Sequence, residues 1–524
     1  MADGRRGRSK RVRPAFAFDR RASGLLLHVT SLPGPHGSGD LSEEAHGFVD
    51  FCADAGQTLW QMLPVGPPGG PPGNSPYSSY SSAAGSPYLV SLERLSWEGL
   101  LPPRDLRPPR ELDGGHVNFE AVRVFRDEAL RAAYERFRVD AAARTLNSAF
   151  ETFAREQAEW LDDFALFCAL KRRFHGAPWD QWDKPLRERN TKALARAAGE
   201  LAEDVAFHRF VQFAFDRQWR DLHTHARRRG VALVGDIPIY VIHDSVDVWR
   251  DRRLFALDAA GRPTQVSGVP PDAFSDDGQL WGHPQYHWPA HRRQGFAWWV
   301  NRFRRTFRLF DAVRIDHFLG FSRVWSVRAG SKTARHGKWV KSPGHELFEV
   351  LRRELGDRAI IAEDLGVLTP EAAALRDAFG FPGMRVMQFG FGGGGGDAYH
   401  RPHSYPPRCV AYTGTHDSDT VVGWLKKLDA PDRRNALDYT GAPPADFHWS
   451  AIRSLMNSAA ETVIFPVQDV LGLDNRARMN VPGVAAGNWG WRLAPRALTP
   501  AHARRLRRLA ALAGRAVYRD GGVG

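Results

Sequence analysis

The residues best suited to chemistry lie between Phe310 and Phe318, where an apolar run ends in an arginine, an aspartate and a histidine. The run alternates apolar and polar side chains, which predicts a short buried strand whose tip enters a pocket. Side chains two apart in a strand face the same side, so Arg314 and Asp316 can lie together. An arginine beside a carboxylate favours its ionised form, which a nucleophile needs. The same pattern is also typical of a buried structural ion pair.

Three further apolar runs lead into acidic residues in the same way, and these residues are Asp236, Glu363 and Asp417. When several strands each end in a carboxylate, the acidic groups can converge at one end of a barrel. Active sites lie at that end in (β/α)8 proteins. The repeated pattern therefore predicts a carboxylate-rich site built from several separate strands.

The order of the elements predicts an α/β protein with a TIM-type (β/α)8 barrel over about residues 22–500, because apolar runs alternate with helical stretches. Helical stripes predict a helical insertion at about 114–222. A Pro- and Gly-rich stretch at about 243–296 predicts a substrate-loop insertion. No separate C-terminal β domain is expected. Residues 1–21 are predicted to be a disordered basic tail, and 501–524 a basic C-terminal helix and tail.

Three aromatic residues lie in loops of unusual composition. Tyr77 lies in a segment crowded with Gly, Pro and Ser, where the prolines can hold the ring rigidly as a stacking platform. Phe274 and Trp281 lie in the second insertion, beside the predicted site. A long loop of this kind is more typical of a substrate lid than of a simple connection. From composition alone, an ordinary core position is the more common role for each of these rings.

The composition narrows the classes of function. The chain has 524 residues, of which 43% are hydrophobic and 25% charged, so a large core with insertions is expected. Its three cysteines are far apart and show no zinc-type spacing, which predicts a reducing cytoplasm. The net charge of +13 would suit nucleic-acid binding. However, no nucleic-acid-binding motif occurs between the basic N-terminal and C-terminal segments, so no nucleic-acid partner is predicted. No apolar run is long enough to span a bilayer, so no membrane role is predicted.

Taken in order, the motifs closely resemble those of the 4-α-glucanotransferases, a family also called amylomaltases, disproportionating enzymes or glycoside hydrolase family 77. The resemblance runs from about residue 23 to residue 493, nearly the whole chain. One such motif would be weak, but many in the same order are specific. The segments that carry it are 26–35, 75–77, 235–240, 268–274, 314–317, 362–366, 415–417 and 488–492.

The resemblance implies a reaction and a set of site residues. Members of the family cut an α-1,4-glucan and pass the fragment to another glucan or to glucose, with retention, through a covalent glucosyl-enzyme. The family pattern falls on Asp316 as nucleophile, Glu363 as acid/base and Asp417 as transition-state stabiliser. Maltooligosaccharides and starch- or glycogen-type glucans are the implied partners, with no metal or organic cofactor. The implied substrate-binding residues are Tyr77, Asp236, Arg314, His416, Phe274 and Trp281.

Two other functions are compatible with parts of the pattern. An α-glucan hydrolase of the amylase type is the main alternative, but such enzymes often carry a β-rich C-terminal domain and a calcium site, and the sequence indicates neither. A glucan-binding protein without turnover is expected to have lost a carboxylate, whereas all three are present. Asn74 stands where the family usually has an aspartate before Ser-Pro-Tyr, and Ala273 replaces an aromatic residue of some members. These departures bear on chain-length preference and on the handling of the acceptor.

Overall fold

The computed structural model describes residues 16–69, 74–139, 144–271, 275–393, 396–441 and 443–516. Within these ranges the strands are β1 (Ala22–Leu26), β2 (Leu59–Gln61), β3 (Ala232–Pro238), β4 (Gln265–Val269), β5 (Gln279–Pro284), β6 (Ala312–Asp316), β7 (Arg323–Arg328), β8 (Gly337–Lys341), β9 (Ala359–Ala362), β10 (Gly383–Val386), β11 (Cys409–Tyr412) and β12 (Thr462–Pro466).

Eight of these strands close into a barrel in the order β1-β12-β11-β10-β9-β6-β3-β2. Every neighbouring pair in the barrel is parallel. The strands are short and almost entirely buried, as expected for a parallel sheet covered by helices on its outer face. The predicted (β/α)8 barrel is therefore confirmed.

Helices surround the barrel and fill its insertions. Within the described ranges they are α1 (Glu43–Asp54), α2 (Leu92–Trp97), α3 (Phe119–Val139), α4 (Arg144–Glu156), α5 (Ala158–Arg173), α6 (Lys184–Arg187), α7 (Thr191–Glu200), α8 (Ala202–Arg229), α9 (Val246–Arg250), α10 (Trp288–Arg293), α11 (Ala297–Leu309), α12 (Gly344–Leu355), α13 (Pro370–Ala378), α14 (Val421–Lys427), α15 (Ala430–Thr440), α16 (Phe447–Asn457), α17 (Val467–Val470) and α18 (Pro500–Leu512). None of these helices is long and apolar enough to cross a membrane.

The insertion between β2 and β3 is helical and packs through aromatic side chains. Phe137 of α3 lies 4.9 Å from Phe210 of α8, measured between ring centroids. The indole of Trp219 in α8 donates a hydrogen bond of 2.8 Å to the carbonyl of Leu309, at the end of α11. Helix α8 continues to Arg229, beyond the predicted limit near residue 222, and Leu222, His223 and Ala226 near its end are buried.

A second sheet lies beside the barrel, and the sequence patterns did not predict it. Strands β4 and β5 come from the predicted substrate-loop insertion, and they join β7 and β8 in an antiparallel sheet of order β5-β4-β7-β8. The stretch at 243–296 is therefore not only a loop. Its strands are short and rich in Gly, Pro and polar residues, so a period of two was hard to recognise.

The first described segment, residues 16–21, contacts the last described segment near the start of β1. The guanidinium of Arg21 donates hydrogen bonds to the carbonyls of Ala513, Ser458 and Met456. The part of the predicted disordered tail that the structure describes, residues 16–21, is thus held against the C-terminal region, with Phe16 buried. The remainder of that tail, residues 1–15, and the C-terminal residues 517–524 lie outside the described residues.

Candidate active site

Strand register brings Asp316 and Glu363 to the same level. Ile315 of β6 pairs with Ala362 of β9, so the two acidic residues each lie one position beyond a paired residue on adjacent strands. The amide of Glu363 donates to the carbonyl of Ile315 at 3.1 Å, which continues this pairing past the end of β9. Both carboxyl groups therefore stand at the carboxyl end of the barrel, as the sequence predicts.

Arg314 joins two carboxylates at the end of the barrel. Its Nη1 donates to Oδ2 of Asp236 at 2.7 Å, and its Nη2 lies 2.9 Å from Oδ1 of Asp316. Asp236 and Arg314 are paired across β3 and β6, so their side chains point the same way. The Asp236 side chain is fully buried, whereas about a third of the Asp316 side chain is exposed. The guanidinium thus fixes Asp316 while leaving it accessible to a ligand.

Glu363 is buried and held by two backbone amides. The amide of His317 donates to Oε2 at 2.7 Å, and the amide of Leu365 donates to Oε1 at 3.0 Å. Burial raises the pKa of Glu363 to about 7, and the charge of Asp316 adds to the rise, while Arg314 and the two amides oppose it. A carboxyl group of this kind can carry a proton at neutral pH and release it during a reaction.

A turn in the backbone after β6 makes one of these bonds possible. His317 has a φ of 50°, in the left-handed region that non-glycine residues seldom adopt. The conformation directs its amide to Glu363, and the next amide, that of Phe318, donates to the carbonyl of Glu363 at 3.0 Å. The strained turn therefore locks the carboxyl group beside the strand end.

Asp417 lies on the loop after β11 and is held by side chains distant in sequence. The amide group of Asn480 donates to its Oδ1 at 2.6 Å, and Nε2 of His416 lies 3.3 Å from its Oδ2. Burial disfavours the charge, but His416, Asn480 and Arg314 outweigh it and hold the pKa of Asp417 below its usual range. The group therefore stays a carboxylate, which suits hydrogen bonding to ligand hydroxyls.

Tyr77 links the two sides of the site. Its hydroxyl donates to Oδ2 of Asp236 at 2.9 Å and lies 2.9 Å from Nε2 of His416. Its ring stacks on His416 at 5.3 Å and 22° and lies 5.9 Å from Trp489. Burial raises the pKa of Asp236 to about 6, against the opposing charge of Arg314. Tyr77 is therefore part of the bonded site, and its ring belongs to a cluster with His416 and Trp489.

The second sheet contributes an aromatic wall. Trp281 of β5 packs edge-on against His317 at 4.9 Å between ring centroids. His283 lies on the same strand. Burial lowers the pKa of its imidazole to about 4, although the nearby charge of Asp316 acts to raise it. The wall thus reaches the turn that follows β6. Phe274, predicted to bind substrate, lies outside the described residues.

Some residues of the site were not predicted from the sequence. Asn480 lies 63 positions after Asp417, and no local pattern links the two. Trp489 belongs to a segment that carried the family resemblance, but it was not assigned to the site. His317 was noted in the motif, whereas the part played by its amide depends on a backbone angle. Among the residues that the structure describes, no group of three or more His, Cys, Asp or Glu side chains could hold a metal ion.

The fold and the site together define a class of enzyme. A (β/α)8 barrel carries an Arg-paired carboxylate, a buried carboxyl group with a raised pKa on the adjacent strand, and a third carboxylate beside an aromatic cluster. This set of groups is that of an enzyme that cleaves glycosidic bonds through two carboxyl groups.

Comparisons with known proteins identify the family. Residues 27–499 match the family model described as 4-alpha-glucanotransferase, glycoside hydrolase family 77, and the chain belongs to this family. A 4-alpha-glucanotransferase of Synechocystis sp. is 45% identical over 96% of this chain and 99% of its own. One from Thermus thermophilus is 45% identical over 94% and 98%. The structure of an amylomaltase from Streptococcus agalactiae in complex with acarbose matches with a TM-score of 0.90 and 36% identity, over 95% of this chain and all of that one.

Proposed function

We propose that the protein is a 4-α-glucanotransferase that moves a segment of an α-1,4-glucan to another glucan or to glucose. One observation carries the proposal: Asp316, paired with Arg314, stands on the strand next to Glu363, whose pKa is raised to about 7. A carboxylate paired with an arginine, beside a carboxyl group that can carry a proton, is what a retaining double displacement requires. The names of the full-length relatives support transfer as the reaction.

In the first step, Asp316 attacks the anomeric carbon while the glycosidic bond breaks. Glu363 gives its proton to the leaving oxygen, so the released glucan departs as an alcohol and the donor segment stays bound to Asp316 as an ester. In the second step, the ionised Glu363 takes the proton of an acceptor hydroxyl. The resulting oxygen attacks the same carbon, and the Asp316 carboxylate leaves. Two inversions give net retention.

Asp417 and His416 act on the sugar whose bond is cleaved. A carboxylate and an imidazole side by side can bind neighbouring ring hydroxyls, and such bonds strengthen as the ring flattens towards an oxocarbenium ion. Tyr77 packs against His416, so its ring and hydroxyl orient that imidazole. Asp236 receives bonds from Tyr77 and Arg314 and fixes both.

Transfer requires that a sugar rather than water resolves the intermediate. Trp281 of β5 packs against His317, the residue after Asp316, and offers an indole on which an acceptor sugar can stack in place of water. We assign Phe274 to the same substrate-holding segment on the strength of the family resemblance. Hydrolysis of the amylase type would need an open path for water at this wall.

The proposed donors are maltooligosaccharides and starch- or glycogen-type α-glucans, and glucose is the smallest proposed acceptor. The site is built from protein groups that bind hydroxyls, and no step of the proposed reaction uses a cofactor. The proposed compartment is the cytoplasm, because Cys52, Cys168 and Cys409 are all unpaired, two of them buried.

The test is incubation of the purified protein with maltotriose, following both product length and total reducing ends. Transfer produces glucose and a ladder of longer oligosaccharides while reducing ends stay constant. Rising reducing ends with only shorter products would instead identify a hydrolase. The matched control is Asp316→Asn, which keeps the size of the side chain and removes the nucleophile, and it should abolish both outcomes.

A further inference from the structure

The loop that carries His416 and Asp417 spans residues 413–421, from the end of β11 to the first residue of α14. Its own bonds are local. The hydroxyl of Ser418 accepts from the amide of Thr415 at 3.0 Å, and the hydroxyl of Thr415 accepts from the amide of Asp417 at 3.3 Å. These bonds shape the turn, but they do not determine where the turn lies above the barrel. Its placement depends on contacts with another part of the chain.

Asp469, on α17, binds both ends of this loop. Its side chain is fully buried, and Oδ2 accepts from the hydroxyl of Thr413 at 2.6 Å. Its Oδ1 accepts from the amide of Val421 at 2.7 Å. A single carboxyl group therefore sets the separation between the end of β11 and the start of α14.

Arg478 holds the middle of the same loop. Its Nη2 donates to the carbonyl of Asp417 at 2.6 Å, its Nη1 pairs with the carboxylate of Asp419, and its Nε donates to the carbonyl of Asn480 at 2.7 Å. Asn480 donates from its side chain to Oδ1 of Asp417 and from its backbone amide to the carbonyl of His416 at 3.0 Å. The guanidinium thus connects the backbone of Asp417 to the residue that binds its carboxylate.

We propose that Asp469 and Arg478 are positioning residues of the transfer reaction, which hold the 413–421 loop so that Asp417 and His416 meet the sugar at the cleaved bond. The proposal rests on the proposed function, because it depends on Asp417 acting in the transition state. Bonds that strengthen only in the transition state are sensitive to placement, and an error of about 1 Å can cost about 100-fold in rate.

Three variants and one control test the proposal. Asp469→Asn weakens the hydrogen bonds at both ends of the loop. Arg478→Met removes the hydrogen bonds of the guanidinium to the middle of the loop. Arg478→Lys keeps a positive charge beside Asp419 but lacks the planar guanidinium. The control is Asp311→Asn. Asp311 is also buried and accepts from the amide of Leu233 at 3.0 Å, but it precedes β6 at the opposite end of the barrel from the site.

The measurements are kcat and KM for maltotriose, together with the melting temperature of each variant. We expect Asp469→Asn and Arg478→Met to lower kcat about 10- to 100-fold while KM changes less than about threefold, with Arg478→Lys in between. Asp311→Asn should lower the melting temperature and leave kcat unchanged.

Two results would overturn the assignment in an active wild-type protein. One is a wild-type kcat in folded Asp469→Asn and Arg478→Met proteins. The other is a loss of kcat that follows the melting temperature equally in all variants, the control included, because that would describe general destabilisation. If the wild-type protein forms no longer oligosaccharides from maltotriose, the proposed function fails, and the positioning roles fail with it.

Discussion

At the scale of single residues, the protonation of Glu363 is set by its surroundings. Burial raises its pKa to about 7, so the group is largely protonated below that pH. Because the acid must carry its proton when the leaving oxygen departs, kcat/KM should fall above about pH 7 as Glu363 ionises. Initial rates with maltotriose between pH 5 and pH 9 measure this fall in kcat/KM. A rate that stays constant up to pH 9 would contradict the role of acid.

The same carboxyl group should respond to its neighbour. The negative charge of Asp316 disfavours ionisation of Glu363, so Asp316→Asn should lower the pKa of Glu363, though not to its usual value, because burial remains. Carbon-13 NMR titration of labelled glutamate measures the change. Glu346→Gln is the control, since it removes an exposed carboxylate paired with Arg292. A pKa of Glu363 that is the same in both variants would exclude coupling to Asp316.

Tyr77 provides a second test at this scale. Tyr77→Phe removes the hydroxyl bond to buried Asp236 and the contact with His416, which should cost about 1–3 kcal/mol of stability and lower kcat as well. Thermal unfolding and kcat measure the two effects. Tyr405→Phe is the matched control, because that buried hydroxyl donates to the carbonyl of His400. It should lower stability alone, and an equal loss of kcat in both variants would argue against a role for Tyr77 in the site.

At the scale of elements, a substitution at Gly268 tests whether the position of β5 in the second sheet matters for transfer. A Cβ atom at Gly268 would lie 2.5 Å from the carbonyl oxygen of Gln279, which belongs to the backbone of β5 and cannot move alone. Gly268→Ala should therefore displace β5 with Trp281, lower the rate of transfer and raise the share of hydrolysis. Reducing ends released per transfer event measure that share. Gly47→Ala, which meets nothing within 4 Å, should change neither quantity.

At the scale of the whole molecule, Arg515 connects the starts of the first and last barrel strands, β1 and β12. Its guanidinium donates to the carbonyls of Ala22 and Glu461 at 3.1 and 2.9 Å, and to three more between residues 456 and 460. Arg515→Met should lower the free energy of unfolding by about 3 kcal/mol or more, since several buried carbonyls lose their donors. Denaturant unfolding measures the loss, while kcat of the folded protein should persist. The exposed Arg508→Met should have almost no effect, and equal stability of the two variants would contradict the role of Arg515.

The sequence was informative where function depends on local order. The run from Ala312 to Asp316 has the alternation of a strand, and Glu363 follows a run of four buried apolar residues, so both acidic residues could be assigned to strand ends. The sheet built from β4, β5, β7 and β8 could not be recognised in this way. Its strands are short, and its two hairpins, β4–β5 and β7–β8, are joined by the pairing of β4 with β7, which are distant in sequence.

The sequence alone predicted the barrel from periodicity and chain order, and the family from its ordered motifs, while the resemblance to that family pointed to the three carboxylates. What those groups can do depends on contacts that form only in the folded chain. The pKa of Glu363 depends on burial and on two amides, one of which a left-handed turn at His317 provides. The placement of Asp417 depends on Asp469, Arg478 and Asn480, which lie 52–63 positions later in the chain and meet its loop only when the barrel closes.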